Sequence, residues 1–167
     1  MIFAIDPGNE LSAYVILGDG LRPTRFGKIT NEEMIGVIKD TFSPFSPFAH
    51  EGCRFAIEMI GHYGTGMPAG KTVFDTCVWI GRFVQEYYTL QGKEPTFIMR
   101  KDEKINLCGN MKAKDSNIRQ ALIDRFGVVG TKKNPGWFYG VSKDVWQAIA
   151  VGVTYYDMYM KGENEDG

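Results

Sequence analysis

Asp6, Glu58 and Asp144 are the side chains best placed to do chemistry together, because each stands at the end of an apolar element. Asp6 closes the run Ile2-Phe3-Ala4-Ile5 and precedes Pro7-Gly8, and Glu58 closes Arg54-Phe55-Ala56-Ile57. Asp144 falls at the start of the last helical segment. Open sheets build their sites outside the carboxyl ends of their strands. Acids gathered there cannot all stay ionised without a counter-ion, and an all-oxygen donor set suits Mg²⁺ or Mn²⁺. Two such ions, about 3.5–4 Å apart, clamp the attacking and leaving oxygens of a phosphodiester. Each acid also has an ordinary reading: a turn acid before Pro-Gly, a solvated strand-end charge, a helix cap. The element order makes the three together more telling than any one. Asp115, a fourth acid, reads better as a helix N-cap and stays outside the metal set.

The elements that must position these acids follow from apolar runs and their punctuation. Ile2–Ile5 and Ala13–Leu17 are short apolar runs bounded by turn residues, which predicts a β-hairpin, and a third strand is expected over Arg25–Ile29. Thr30 with Glu33 three residues on marks a capped helix start, with Met34, Val37 and Ile38 as its buried stripe. Pro44 and Pro47 end it. Arg54–Glu58 is the fourth strand, Met59–Gly70 a glycine-rich loop, and Lys71–Leu90 a long helix with apolar residues on more than one face. Thr96–Met99 is the fifth strand. A helix starting at Asp115 or Ser116 ends at Gly127, a loop spans Thr131–Gly140, and a last helix spans Lys143–Met160. The order β-β-β-α-β-α-β-α-α predicts an α/β fold with a mixed sheet and helices on both faces.

Composition narrows the function classes. At 167 residues with 44% hydrophobic and 13% aromatic content, the chain can bury one proper core. We expect a single domain over residues 1–160 and a frayed acidic tail over 161–167. No apolar stretch approaches the roughly 20 residues of a membrane span, and Met1 leads straight into a strand without signal-peptide features. Cys53, Cys77 and Cys108 lie far apart, which fits neither a disulfide scaffold nor a zinc knuckle and points to a reducing, cytoplasmic setting. The net charge of −1 is unevenly spread. Gly92–Lys133 holds ten basic and five acidic side chains, the footprint of a phosphate-binding region on an otherwise acidic protein.

Ile5-Asp6-Pro7-Gly8 followed by a strand with Tyr14, then Ala56-Ile57-Glu58, then Lys143-Asp144-Val145-Trp146-Gln147-Ala148-Ile149-Ala150, resembles the RuvC family of Holliday junction resolvases, in particular its shorter phage and prophage members. The resemblance runs from about Ile2 to Tyr156. It implies a ribonuclease-H-like fold with a five-stranded sheet, a homodimer formed through the long helix, and Mg²⁺-dependent symmetric nicking of four-way DNA junctions in recombination or phage DNA processing. It also implies a bacterial or phage-infected cytoplasm. Asp6 matches the family's first metal-binding aspartate and Glu58 the glutamate of the fourth strand. The family's last helix usually reads D-x-x-D-A. Aligned on Ala148, Asp144 takes the first acid's place and Gln147 the second's, a neutral amide that can still offer its carbonyl oxygen.

Lys112, Lys114 and Arg119 are the preferred DNA-backbone contacts, since related resolvases carry basic residues in that region. In the loop after Glu58 the family places an aromatic wedge; the matching position here falls near Gly61, with Tyr63 just beyond it as the candidate for stacking on a base. The glycine-rich stretch Gly61–Gly70 reads equally as mobile cover. His62 beside Tyr63 reads as a surface histidine. Trp137-Phe138-Tyr139 has two readings, base stacking or burial against the sheet. Two other functions are weighed against the nuclease. A catalytically degenerate junction-binding protein would follow from Gln147. An actin-like phosphotransferase also opens with a strand, an acidic turn and a hairpin, but needs two such domains and a phosphate loop.

Overall fold

Side chains alternate across a β-strand, and in β1 (Ile2–Asp6) that alternation keeps the aromatic to one face and leaves smaller side chains, Ile2 and Ala4, on the other. Phe3 and Ile5 face one side, while Ala4 and then Asp6 face the other. The same division runs through β2 (Leu11–Leu17) and β4 (Arg54–Met59), where Tyr14, Phe55 and Ile57 oppose Ala13 and Ala56. The computed structural model describes residues 1–48, 52–61 and 69–162. With β3 (Pro23–Thr30) and β5 (Thr96–Met99), the strands form one sheet in the order β3-β2-β1-β4-β5. β1 runs antiparallel to β2 and parallel to β4, so the sheet is mixed, as predicted.

The bulky face is covered by α1 (Asn31–Phe42) and α2 (Lys71–Gln91). Phe3, Phe42, Phe55 and Tyr87 meet there, with Phe42 and Tyr87 edge-to-face at 4.8 Å between centroids. The predicted capping box is present: the Glu33 N–H donates to Thr30 Oγ1 and the Thr30 N–H to Glu33 Oε2.

The small face admits α5 (Val145–Tyr155), whose first ten residues after Asp144 are almost all buried. A Cβ on Gly152 would stand 2.7 Å from Leu17 Cδ1 and 3.2 Å from Ala4 Cβ, so only glycine lets α5 lie this close to β1. α4 (Asp115–Phe126) adds Ile118 and Leu122 to this second core, and Phe138 is buried in it. Two expectations are corrected here. A helix not foreseen, α3 (Arg100–Cys108), follows β5 without a linker. The last helix is α-helical only over Val145–Tyr155 and ends in a π-helical turn, Tyr156–Met160.

Candidate active site

Register places the acids. In β1 and β4 the last paired residues are Ile5 and Ile57, so Asp6 and Glu58 stand side by side at the strand ends. Both continue the small face, and both therefore look toward α5. Across the sheet, Asp6 is paired with Ala13, Ala13 with Lys28, and Glu58 with Ile98. One row thus carries a lysine, a small gap at Ala13 and two carboxylates. The gap is where the start of α5 approaches.

The turn after Asp6 is locked from below. Gly8 N–H donates to Ser12 Oγ at 3.1 Å, Ser12 Oγ donates to Asn31 Oδ1 at 2.6 Å, and Asn31 Nδ2 returns to the Gly8 carbonyl at 2.9 Å. A side chain at Gly8 would meet the Leu11 carbonyl oxygen at 2.3 Å. Ser12 and Asn31 are buried supports of the site that sequence reasoning missed.

Electrostatics set Asp6 apart. Burial first, then the Glu58 carboxylate and a hydrogen bond shared with it, push the Asp6 carboxyl up to about 8. Burial likewise raises Glu58, with Arg100 pulling the other way. Two carboxyls in contact thus share a proton when nothing else neutralises them.

Asp144 occupies the N-cap position of α5 but caps nothing with its side chain. Its Oδ2 accepts from Lys28 Nζ at 2.9 Å across the Ala13 gap. One turn on, Gln147 Oε1 is buried without a hydrogen-bond partner among the described residues. A cavity of about 460 Å³ opens here, lined by Asp144, Gln147, Lys143, Trp146, Arg119 and Asp115 among others.

Asp115 proves not to be an N-cap. Lys114 holds that position, with its N–H donating to Asn117 Oδ1 at 2.8 Å, and the Asp115 carboxylate pairs with Arg100 Nη2. Arg100 Nη1 also donates to Glu103 Oε2 at 2.7 Å. Glu103 is fully buried. Burial, then Glu58, push its carboxyl well above the usual range. Neither Arg100 nor Glu103 was singled out from the sequence, because Arg-Lys-Asp-Glu-Lys reads as a solvated charge run.

Of the basic candidates, Lys112 and Lys114 are exposed just ahead of α4, and Arg119 is exposed with its guanidinium 5.1 Å from the Trp146 ring centre. Tyr63 and His62 lie outside the described residues, as does the tail beyond Gly162. In the aromatic triplet, Phe138 is core, Trp137 stacks on Phe126 at 5.7 Å, and Tyr139 is exposed.

The donors suit a hard divalent cation: two half-buried carboxyls side by side, a third at the mouth, and an orphaned amide oxygen. As the chain stands, no three His, Cys, Asp or Glu side chains among the described residues converge tightly enough to hold an ion. Asp144 leans on Lys28 instead.

No protein-family model matches this sequence. No curated protein sequence matches it either. Solved structures do match its fold. The structure of RuvC from Thermus thermophilus superposes with a TM-score of 0.59 at 16% identity, covering 94% of this chain and 95% of that one. RuvC of the same organism in complex with a Holliday junction substrate superposes with a TM-score of 0.58 at 16% identity, covering 92% of this chain and 91% of that one. The chain therefore has the fold of RuvC over nearly its whole length, as the sequence resemblance implied.

Proposed function

We propose that this chain is a metal-dependent endonuclease that resolves four-way DNA junctions by paired symmetric nicks. The observation that carries the reading is the row of Asp6 and Glu58 beneath the start of α5, with Asp144 facing them, on a fold shared with a protein solved in complex with a Holliday junction. Asp6, Glu58 and Asp144 would hold Mg²⁺, or Mn²⁺ in its place, and the Gln147 Oε1 would add a neutral donor. A bound pair of such ions supplies a water acidic enough to attack a phosphodiester and charge to stabilise the leaving 3′ oxygen.

The chain's own groups do the remaining work. Asp6 must give up its shared proton before the site can take a cation, because burial and Glu58 keep it protonated otherwise. Asp144 must leave Lys28, and the freed ammonium then sits beside the site as a positive charge for a phosphate. Lys112, Lys114 and Arg119 would bind the DNA backbone beyond the cavity, fixing position without reading sequence. Tyr63 would stack on a base at the junction centre.

The partner of this surface is a second copy of the chain. Phe74 and Val78 on α2 are 61% and 63% exposed, more apolar surface than the sheet requires. Two sites related by a two-fold axis suit a substrate that is itself nearly two-fold. The setting proposed is the cytoplasm of a bacterium or a phage-infected host, where junctions arise in recombination, repair and phage DNA processing. No described helix is long and apolar enough to cross a membrane.

The test is a labelled synthetic four-way junction incubated with Mg²⁺ or with chelator, beside a linear duplex. Paired nicks that need the metal and spare the duplex support the reading. Tight junction binding without nicking in either Mg²⁺ or Mn²⁺ would favour a binding protein whose site was lost through Gln147, and contradict the nuclease.

A further inference from the structure

Arg100 is a positive charge beside the acidic site, and nothing in the proposed reaction uses it. It follows Met99 in β5, whose pairing with β4 matches Glu58 to Ile98 and Met59 to Met99, so it emerges beside the end of the strand that carries Glu58. Its side chain is only 18% exposed. One arm of the guanidinium grips Glu103 at 2.7 Å and the other grips Asp115 at the start of α4. Glu103 is fully buried, and its second oxygen, Oε1, has no hydrogen-bond partner among the described residues. Through its Oε2 contact, Glu103 holds the guanidinium in place. The register thus sets Arg100 near the end of β4, and its charge draws the Glu58 and Asp6 carboxyls down against the effect of burial.

We propose that Arg100, held by Glu103 and Asp115, is a positioning residue that sets the resting charge of the Asp6–Glu58 site and so limits how tightly that site takes a divalent cation. The proposal rests on the metal-binding reading of that site. The physical logic is competition. A fixed guanidinium lowers the negative potential that a cation would feel, and keeps two neighbouring carboxylates tolerable while no cation is bound. Arginine suits the task because it stays charged and its planar fork serves two carboxylates at once. Asp115 also ties this balance to α4, the helix that carries Arg119.

The consequence is a gain in affinity on losing a side chain's charge. Arg100→Gln removes the competing charge, so the free protein should bind Mn²⁺ more tightly, by roughly five- to tenfold. Arg100→Met, which keeps the length of the stem but not the charge, should tighten it likewise. Arg100→Lys keeps the charge and should stay within about twofold of the wild type. Loss of packing would weaken all three alike, so the signs separate electrostatics from damage.

The measurement is Mn²⁺ binding to the full chain without DNA, read by the loss of free-Mn²⁺ paramagnetic resonance signal, with far-ultraviolet circular dichroism in chelator to check folding. Tighter binding in Arg100→Gln, with Arg100→Lys near the wild type, supports the proposal. If Arg100→Gln does not fold, tighter binding in a folded Arg100→Met supports it. Weaker or unchanged binding in a folded Arg100→Gln or Arg100→Met overturns it while leaving the metal reading intact. A wild type that binds no Mn²⁺ sinks both.

Discussion

Asp6 carries the clearest consequence at the scale of single residues. Its carboxyl has an ordinary value of 3.8 and is pushed up to about 8 in the fold, chiefly by burial and then by Glu58. A carboxyl raised in this way binds its proton more tightly folded than unfolded. It therefore stabilises the fold fully below pH 4, and that contribution is lost as pH rises to about 8. Denaturant unfolding in chelator should show stability falling across that window by on the order of a few kcal/mol, and Asp6→Asn should flatten the fall. Added Mg²⁺ should offset it at the alkaline end, where the site is ionised. An unfolding profile level from pH 4 to 8 would contradict this account of Asp6. Asp6 and Glu58 were legible in the sequence because each ends an apolar run, and strand ends are where such folds expose chemistry. Glu103 was not. Its burial depends on α3 lying against α5, and nothing in a run of five charged residues announces which one turns inward.

Among the elements, α5 decides how the acids are presented, and its closeness to β1 depends on Gly152. Gly152→Val should therefore cost about 1–3 kcal/mol through overpacking against Leu17 and Ala4, read as a lowered Tm. Because the shift would move the start of α5 away from the row of acids, cation affinity should fall with it. A variant as stable as the wild type would mean that α5 has room to spare. The second prediction belongs to α2. Phe74→Glu with Val78→Glu should turn the proposed dimer into a monomer in sedimentation while leaving the Tm nearly unchanged, since both side chains are exposed. A dimer that survives both changes would place the interface elsewhere. The five strands, α1, α2, α4 and α5 were readable from apolar spacing, caps and prolines. α3 escaped because Met99 leads directly into Arg100 with no glycine, proline or side-chain cap between them, and its surface is mostly charged. Strand ends and helix starts leave local marks. A helix whose face is chosen by its neighbours leaves few.

For the molecule as a whole, the small face of the sheet, the tight approach of α5 and the two-sided charge balance by Lys28 and Arg100 serve one arrangement. They gather acids at one end of the sheet, as the proposed cation site requires. Most of the basic surplus of Gly92–Lys133 lies in the segments flanking α3 and α4, with Lys112 and Lys114 between the two helices and Lys132 and Lys133 beyond them, which leaves cationic side chains for a nucleic-acid substrate despite a net charge of −1. The central claim is that Asp6 belongs to a metal-dependent centre that cuts DNA junctions. Its most direct test compares wild type and Asp6→Asn on one labelled four-way junction in Mg²⁺, scoring binding and nicking in the same reactions. The account predicts that both proteins bind the junction and that only the wild type nicks it, at symmetric positions on opposing strands and not in chelator. Nicking by Asp6→Asn at the wild-type rate would contradict it.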